Sequence, residues 1–139
     1  MIRDVMQKEF LAVPPELRVL ACVQEMVRRR EGFALVVEAG RAVGIVTEWD
    51  LIEKVLAAHR DPESVRVAEV ASHPIKTVRV DTPTMDVVEE FARSGIRRAL
   101  VMEGDRPVGV VTGRDLFRAF RTYVDQVSAD VAGLHSTMG

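Results

Sequence analysis

Two octapeptides carry most of the chemistry this 139-residue chain offers: Gly44-Ile45-Val46-Thr47-Glu48-Trp49-Asp50-Leu51 and Gly109-Val110-Val111-Thr112-Gly113-Arg114-Asp115-Leu116. Each passes from a glycine through two apolar residues to a threonine and sets an aspartate three residues beyond it. Where a buried strand hands over to a helix, such a hydroxyl lies among unsatisfied backbone N–H groups at the positive end of the helix dipole. That is a natural place for an anion such as phosphate. An ionised aspartate only accepts hydrogen bonds, so Asp50 or Asp115 suits the two vicinal hydroxyls of a ribose. Together the two groups suit a nucleoside phosphate. The same Thr-x-x-Asp spacing is also that of a capping box, in which Thr47 or Thr112 satisfies backbone donors and the acid reaches back. Repetition does not choose between the two readings, because a duplicated fold duplicates its caps as well.

The elements that position these motifs follow from the repeat itself. At an offset of 65 residues, Val5 pairs with Val70, Val13 with Val78, Val23 with Val88, and Ala34-Leu35-Val36 with Ala99-Leu100-Val101. About 16 of 55 paired positions are identical over 3–57 and 68–122, and no gap is needed. Each unit opens with a short extended run (10–13, 76–80). A helical pattern follows, with Leu20, Val23, Met26 and Val27 on one inward stripe and Met85, Val88, Phe91 and Ala92 on its counterpart. The first helix is expected to start near Pro15 and end near Gly32. The second has Thr82 as cap, Pro83 at the first helical position and Gly95 as its stop. Next come two continuous apolar strands around a polar turn (33–37 and 43–46; 99–102 and 108–111), then a closing helix (49 to about 59; 114 to about 123). The fold class is therefore α/β (α+β), two pseudo-symmetric β-α-β-β-α units: residues 1–60, residues 66–123, and an extension 124–139 whose Gly-, Ser- and Thr-containing end is expected to fray. Each unit is too short to bury a core alone, so the two are expected to pack about a pseudo-twofold axis.

Composition narrows the partners. Lys+Arg is 19 against Asp+Glu 21, a net charge of −2 and a pI near 5.9, so the basic excess that drives phosphate-backbone binding is missing. One cysteine excludes an internal disulfide. The apolar runs are far shorter than the roughly 20 residues that span a bilayer, and residues 1–30 lack the apolar region of a signal peptide. A soluble, cytoplasmic protein is expected, with no membrane partner.

The duplicated unit, its two hairpins, the leading segments Val5-Met6 and Val70-Ala71 and the two Thr-x-x-Asp ends resemble a tandem pair of cystathionine-beta-synthase (CBS) domains, a Bateman module, over residues 1 to about 123. The resemblance implies a disc-like pair of repeats whose cleft binds an adenosine-containing ligand: AMP, ADP, ATP or S-adenosylmethionine. It implies a regulatory or sensor role and a homodimer of two discs joined through the helices. Carried over by position, it gives Asp50 and Asp115 the ribose contact and Thr47 and Thr112 a place near ribose or phosphate. Basic residues before the second strand enter the cleft in such modules; here the second repeat has Arg97-Arg98 where the first has Gly32-Phe33. An arginine fork makes charge-assisted bonds to phosphate, so the two sites are not expected to be equivalent, and Asp115, Thr112 and Arg97 or Arg98 are expected to form the better one. Arg97 and Arg98 are neighbours at a strand entrance, so one is expected to point inward and the other to water. Arg114 at the start of the closing helix is another phosphate candidate or an ordinary exposed residue. The family's base-binding slot falls on 75–78, which includes Thr77 and Val78, and on 10–13 in the other repeat.

The remaining candidates read as structure. Cys22 lies on the first helix with no basic neighbour and packs as a small hydrophobe. His59, His73 and His135 are scattered and make no metal-ligand spacing. Arg28-Arg29-Arg30 suits the negative end of a helix dipole, and nucleic-acid binding through it is the weakest class. Trp49 sits beside the expected cleft as a packing or stacking residue. No nucleophile, base and oxyanion donor are juxtaposed, so no catalytic residue is assigned. The competing class is a ligand-free dimerisation module whose Thr-x-x-Asp ends are only caps.

Overall fold

The computed structural model describes the backbone of residues 1–138 and the side chains of residues 1–134. Strand β1 is Ala12–Val13, helix α1 Val19–Arg29, β2 Phe33–Glu38, β3 Arg41–Thr47 and α2 Glu48–Leu51, continued by a π-helical stretch, Ile52–Leu56. A short helix α3, Val67–Val70, leads to β4 (Thr77–Arg79), α4 (Thr84–Ser94), β5 (Arg98–Glu103), β6 (Arg106–Thr112) and α5 (Gly113–Met138). Two three-stranded sheets result, β1-β2-β3 and β4-β5-β6. In each, the first pair is parallel and the hairpin antiparallel.

The hairpin strands are uninterrupted apolar runs because both faces of each sheet are covered. In β2, Ala34 and Val36 enter one core with Val19, Cys22 and Met26 of α1, while Phe33 and Leu35 turn the other way. In β5, Ala99 and Val101 meet Val87 and Phe91 of α4, while Leu100 turns the other way. Phe33, Leu35, Leu100 and Val110 form a third cluster that joins the two sheets. The leading segments cross over. Ile2, fully buried, lies in the core of the second repeat, and Val65, Val67 and Val70 lie in that of the first. The crossing is also hydrogen-bonded: Gln7 bridges Val110 and Ser72 bridges Ile45, both antiparallel. Gly44 and Gly109 permit this approach. A Cβ on Gly109 would stand 2.8 Å from the Gln7 carbonyl oxygen, and one on Gly44 3.4 Å from that of Ser72.

Several helix expectations need correction. Helix α1 begins at Val19 rather than near Pro15, because Leu17 N–H turns back to Pro14 and the free N–H groups of Val19 and Leu20 donate to Val65 and Pro62 of the inter-repeat link. Thr82 does not cap α4: its carbonyl accepts from Ile2, Pro83 is still extended, and the helix starts at Thr84. Gly95 does end that helix, in the left-handed region at φ 72. The inward stripe is rotated. Val19, Cys22 and Met26, and Val87 and Phe91, are the buried positions, whereas Val27 is 71% and Met85 59% exposed, with Ala92 exposed too. Each helix has a second apolar face that the sheet does not cover. Finally, the closing helix of the second repeat does not end near Tyr123: residues 124–138 continue α5 to Met138.

Candidate functional site

Both Thr-x-x-Asp ends form the reciprocal cap that the spacing allows. At the first, Thr47 N–H and Oγ1 donate to Asp50 Oδ2 at 2.9 and 3.0 Å, and Asp50 N–H donates back to Thr47 Oγ1 at 3.3 Å. At the second, the corresponding distances for Thr112 and Asp115 are 2.9, 2.9 and 3.2 Å. Both aspartates are buried. What differs is the group that reaches each carboxylate from the crossing segment. Ser72 Oγ donates to Asp50 Oδ1 at 2.7 Å, and Lys54 Nζ stands 3.0 Å from the same oxygen. Gln7 Nε2 lies 3.1 Å from both oxygens of Asp115. Burial pushes the Asp50 carboxyl up, but hydrogen bonds from Ser72, the Thr47 amide, Lys54 and the Thr47 hydroxyl outweigh it and hold the group below the usual aspartate range.

The arginines lie elsewhere than expected. A cleft of about 610 Å³ is lined by Ile45, Thr47, Glu48, Trp49, Arg97 and Arg98, so Arg97 and Arg98 face the motif of the first repeat rather than joining Thr112 and Asp115 in one pocket. The cause is strand alternation. Arg98 pairs with Thr112 through the backbone, but its side chain shares a face with Leu100 and points across to the other sheet. There its guanidinium carbon sits 5.1 Å from the ring centroid of Phe33, its own equivalent in the repeat. Arg98 is half-buried and Arg97 exposed, the division expected of neighbours at a strand entrance. Arg98 Nε is buried without a hydrogen-bond partner among the described residues. Burial lowers the pKa of this guanidinium, opposed by nearby Glu48 and assisted by Arg97.

Thr77 lines a second hollow, of about 890 Å³, with His73, Pro74 and Ile75 of the crossing segment, Leu100 and Met102 of β5, and 41–43 of the first hairpin. Val78 is not part of that lining and packs against the core of the second repeat. Arg114 is exposed in the first turn of α5. Sequence reasoning missed Lys54, Ser72 and Gln7. Lys54 is four residues from Asp50, a helical pairing legible in principle; Ser72 and Gln7 reach their carboxylates only through the crossover. Cys22 is buried beside Met26, and burial pushes its thiol up to about 11. Among the described residues no cluster of His, Cys, Asp and Glu could hold a metal, and no helix is long and apolar enough to cross a membrane.

Two crossed repeats, each ending its second hairpin strand in a Thr-x-x-Asp cap and sharing an inter-sheet cleft, define a tandem CBS module. The chain belongs to the CBS domain family, whose model matches residues 2–57 and again residues 67–122. An uncharacterized protein of Methanopyrus kandleri is 26% identical over 119 residues, 84% of this chain, and this chain spans 61% of that protein's length. A conserved uncharacterized protein from Pyrococcus horikoshii superposes with a TM-score of 0.80 at 28% identity, over 86% of this chain and 91% of that one. The CBS domain pair of protein MJ0100, solved with 5′-methylthioadenosine and S-adenosylmethionine, superposes at 0.77 and 23% identity, over 88% and 97% of the two chains.

Proposed function

We propose that this CBS pair is a regulatory sensor that binds an adenosine-containing ligand (AMP, ADP, ATP or S-adenosylmethionine) between its sheets and acts through a homodimer rather than by catalysis. The observation that carries the reading is Arg98: a half-buried guanidinium whose Nε has no partner among the described residues, held over Phe33 at the wall of a cleft that also presents Thr47 and Arg97. A buried donor without a partner is costly, and an anionic or strongly accepting ligand group removes that cost. Thr47, at the N-terminal end of α2, and Arg97 complete the polar wall. Ribose hydroxyls reach Asp50 by replacing Ser72 at Oδ1. The hollow at Ile75, Thr77 and Leu100 offers an apolar slot for the base. Thr112 and Asp115, with Arg114, form the second candidate site, in which Gln7 must yield to the ligand. The binding of methylthioadenosine and S-adenosylmethionine by the pair of MJ0100 supports the adenosyl class. The apolar faces left on α1 and the π-helical stretch (Leu20, Val23, Ile52, Leu56) and on α4 and α5 (Met85, Val88, Phe117, Phe120) support the dimer.

The second reading, a dimerisation module without ligand, has its own observation: both aspartates are already occupied by donors of this chain. A calorimetric panel of the four ligands, followed also by the fluorescence of Trp49 at the cleft wall, separates the two. Saturable binding by one of them, weakened at least tenfold in Arg98→Gln and unchanged in Asp115→Ala, places the ligand in the cleft with Arg98. Loss in Asp115→Ala alone moves it to the second site. No binding by any of the four favours the ligand-free module.

A further inference from the structure

The last helix carries a pattern that neither repeat requires. Along α5, Phe117, Phe120, Val124, Val127, Val131 and Leu134 recur at alternating steps of three and four residues, and all are 41 to 68% exposed. That period is 3.5, the seam of a left-handed coiled coil, rather than the 3.6 of a helix lying on a globular core. Every described residue from 124 to 134 is exposed, so this stretch stands clear of the two repeats. A single helix of that length, with three β-branched valines on its seam, is marginal in water and gains its stability from a partner face.

We infer that the partner is α5 of a second copy, packed antiparallel, with Val131 and Leu134 of each chain seated against Phe120 and Phe117 of the other. Two features specify the direction. The seam is self-complementary about its midpoint between residues 125 and 126: Phe117 falls opposite Leu134, Phe120 opposite Val131 and Val124 opposite Val127, so each bulky ring meets an aliphatic side chain. The charges agree. Arg118 and Arg121 precede the midpoint, Asp125 lies at it and Asp130 follows it, so antiparallel packing brings Arg121 level with Asp130 of the other copy, whereas parallel packing sets like level with like. Phe117 and Phe120 also line the groove between α4 and α5 with Met85 and Val88, so the partner's Val131 and Leu134 extend an apolar surface already present. The contact is independent of any adenosyl ligand and makes the extension the strap that joins two modules.

Cysteine cross-linking of the full chain tests this, since Cys22 is buried and does not compete. Phe120→Cys and Val131→Cys chains, co-expressed and oxidised gently, are expected to give a 120–131 disulfide-linked dimer. Neither variant alone is expected to cross-link, because in the antiparallel pair each substituted position lies about 16 Å from its own copy at 1.5 Å per residue. Phe117→Cys with Leu134→Cys is the second pair, should Phe120→Cys fail to fold. Cross-linking of each variant with itself overturns the antiparallel seam. A dimer by sedimentation that yields no mixed cross-link overturns the strap while leaving the dimer reading intact, and a monomer overturns both. Val127→Asp is expected to weaken association at least a hundredfold with the circular dichroism of the two repeats retained; unchanged association overturns the proposal.

Discussion

The two strand-to-helix junctions share one backbone solution, yet the carboxylates within them are met by different groups. Asp50 and Asp115 occupy equivalent positions, each accept two bonds from their threonine and donate one back to it, and are both buried. Asp50 then faces a lysine and a hydroxyl, whereas Asp115 faces the neutral amide of one glutamine. The cap is therefore what the local backbone needs, and the segment crossing from the other repeat, with residue 54 of the helix, sets the electrostatics. The same inequality recurs at the sheet interface, where Phe33 on one side meets Arg98 on the other. Duplication supplied a symmetric frame, and a few non-equivalent side chains leave one cleft with cationic character.

Removing each carboxylate in turn should expose the difference most strongly. Asp50→Ala removes the ion-pair partner of a partly buried Lys54 ammonium, which keeps only the Val70 carbonyl and Ser72 hydroxyl, and it also frees Ser72 and the cap. Loss of one member of a buried pair costs roughly 3–5 kcal/mol, and the partial exposure of Lys54 reduces this to about 3 kcal/mol. Asp115→Ala frees only Gln7 and the cap, so about 1 to 2 kcal/mol is expected. Urea denaturation of the two variants checks it, and equal losses would show that the lysine at the first junction is energetically idle. The next effect is steric. Gly109→Ala drives a methyl to 2.7 Å from Met6 Sδ and 2.8 Å from the Gln7 carbonyl, an overpacking expected to cost about 2 kcal/mol. Gly44→Ala meets the Ala71 methyl at 3.1 Å and the Ser72 carbonyl at 3.4 Å, a contact that slight movement relieves for less than about 1 kcal/mol. A reversed order would mean that the first crossing is the tighter one.

The parts of this architecture legible in the sequence were those written in local periods: the 65-residue repeat, the two hairpins, the Gly95 stop and the Thr-x-x-Asp junctions. The helix faces were misread for a physical reason. Helices α1 and α4 are apolar on two sides, one toward their sheet and one toward the groove beside the closing helix, and a stripe count cannot assign which is which when Leu20, Val23 and Val27 compete with Val19, Cys22 and Met26. The crossover was invisible because Ile2, Val65 and Val67 look like ordinary flanking hydrophobes until the core that buries them is known. Arg98 was found as a residue and misplaced as a contact, since its backbone neighbour is Thr112 and strand alternation turns its side chain to Phe33. The heptad on α5 lay in plain sequence, but from Val124 onward it is outside the repeat and has no equivalent in the first unit.

The smallest effect follows from the Asp50 carboxyl. Its pKa in the folded chain is held below the usual value, because the bonds from Ser72, Thr47 and Lys54 outweigh the burial that raises it. In the unfolded chain an aspartate titrates near about 3.9. As pH falls past that value the unfolded state takes up the proton first, so the stabilisation present at neutral pH is lost progressively until the folded-state pKa is also passed. Half-buried Glu90 and exposed Glu69 and Glu103, lowered chiefly by Lys76, by the Arg66 amide and by Arg3, add to the same acid slope. The informative quantity is therefore the difference between the wild-type chain and Asp50→Asn, measured by urea denaturation at several values between about pH 6 and pH 3. The gap should be widest at the neutral end and close on acidification, because the carboxylate that sets it disappears. A gap that stays constant would mean that Asp50 acts through packing and cap geometry alone, and the first junction would then differ from the second in the identity of its partners but not in charge.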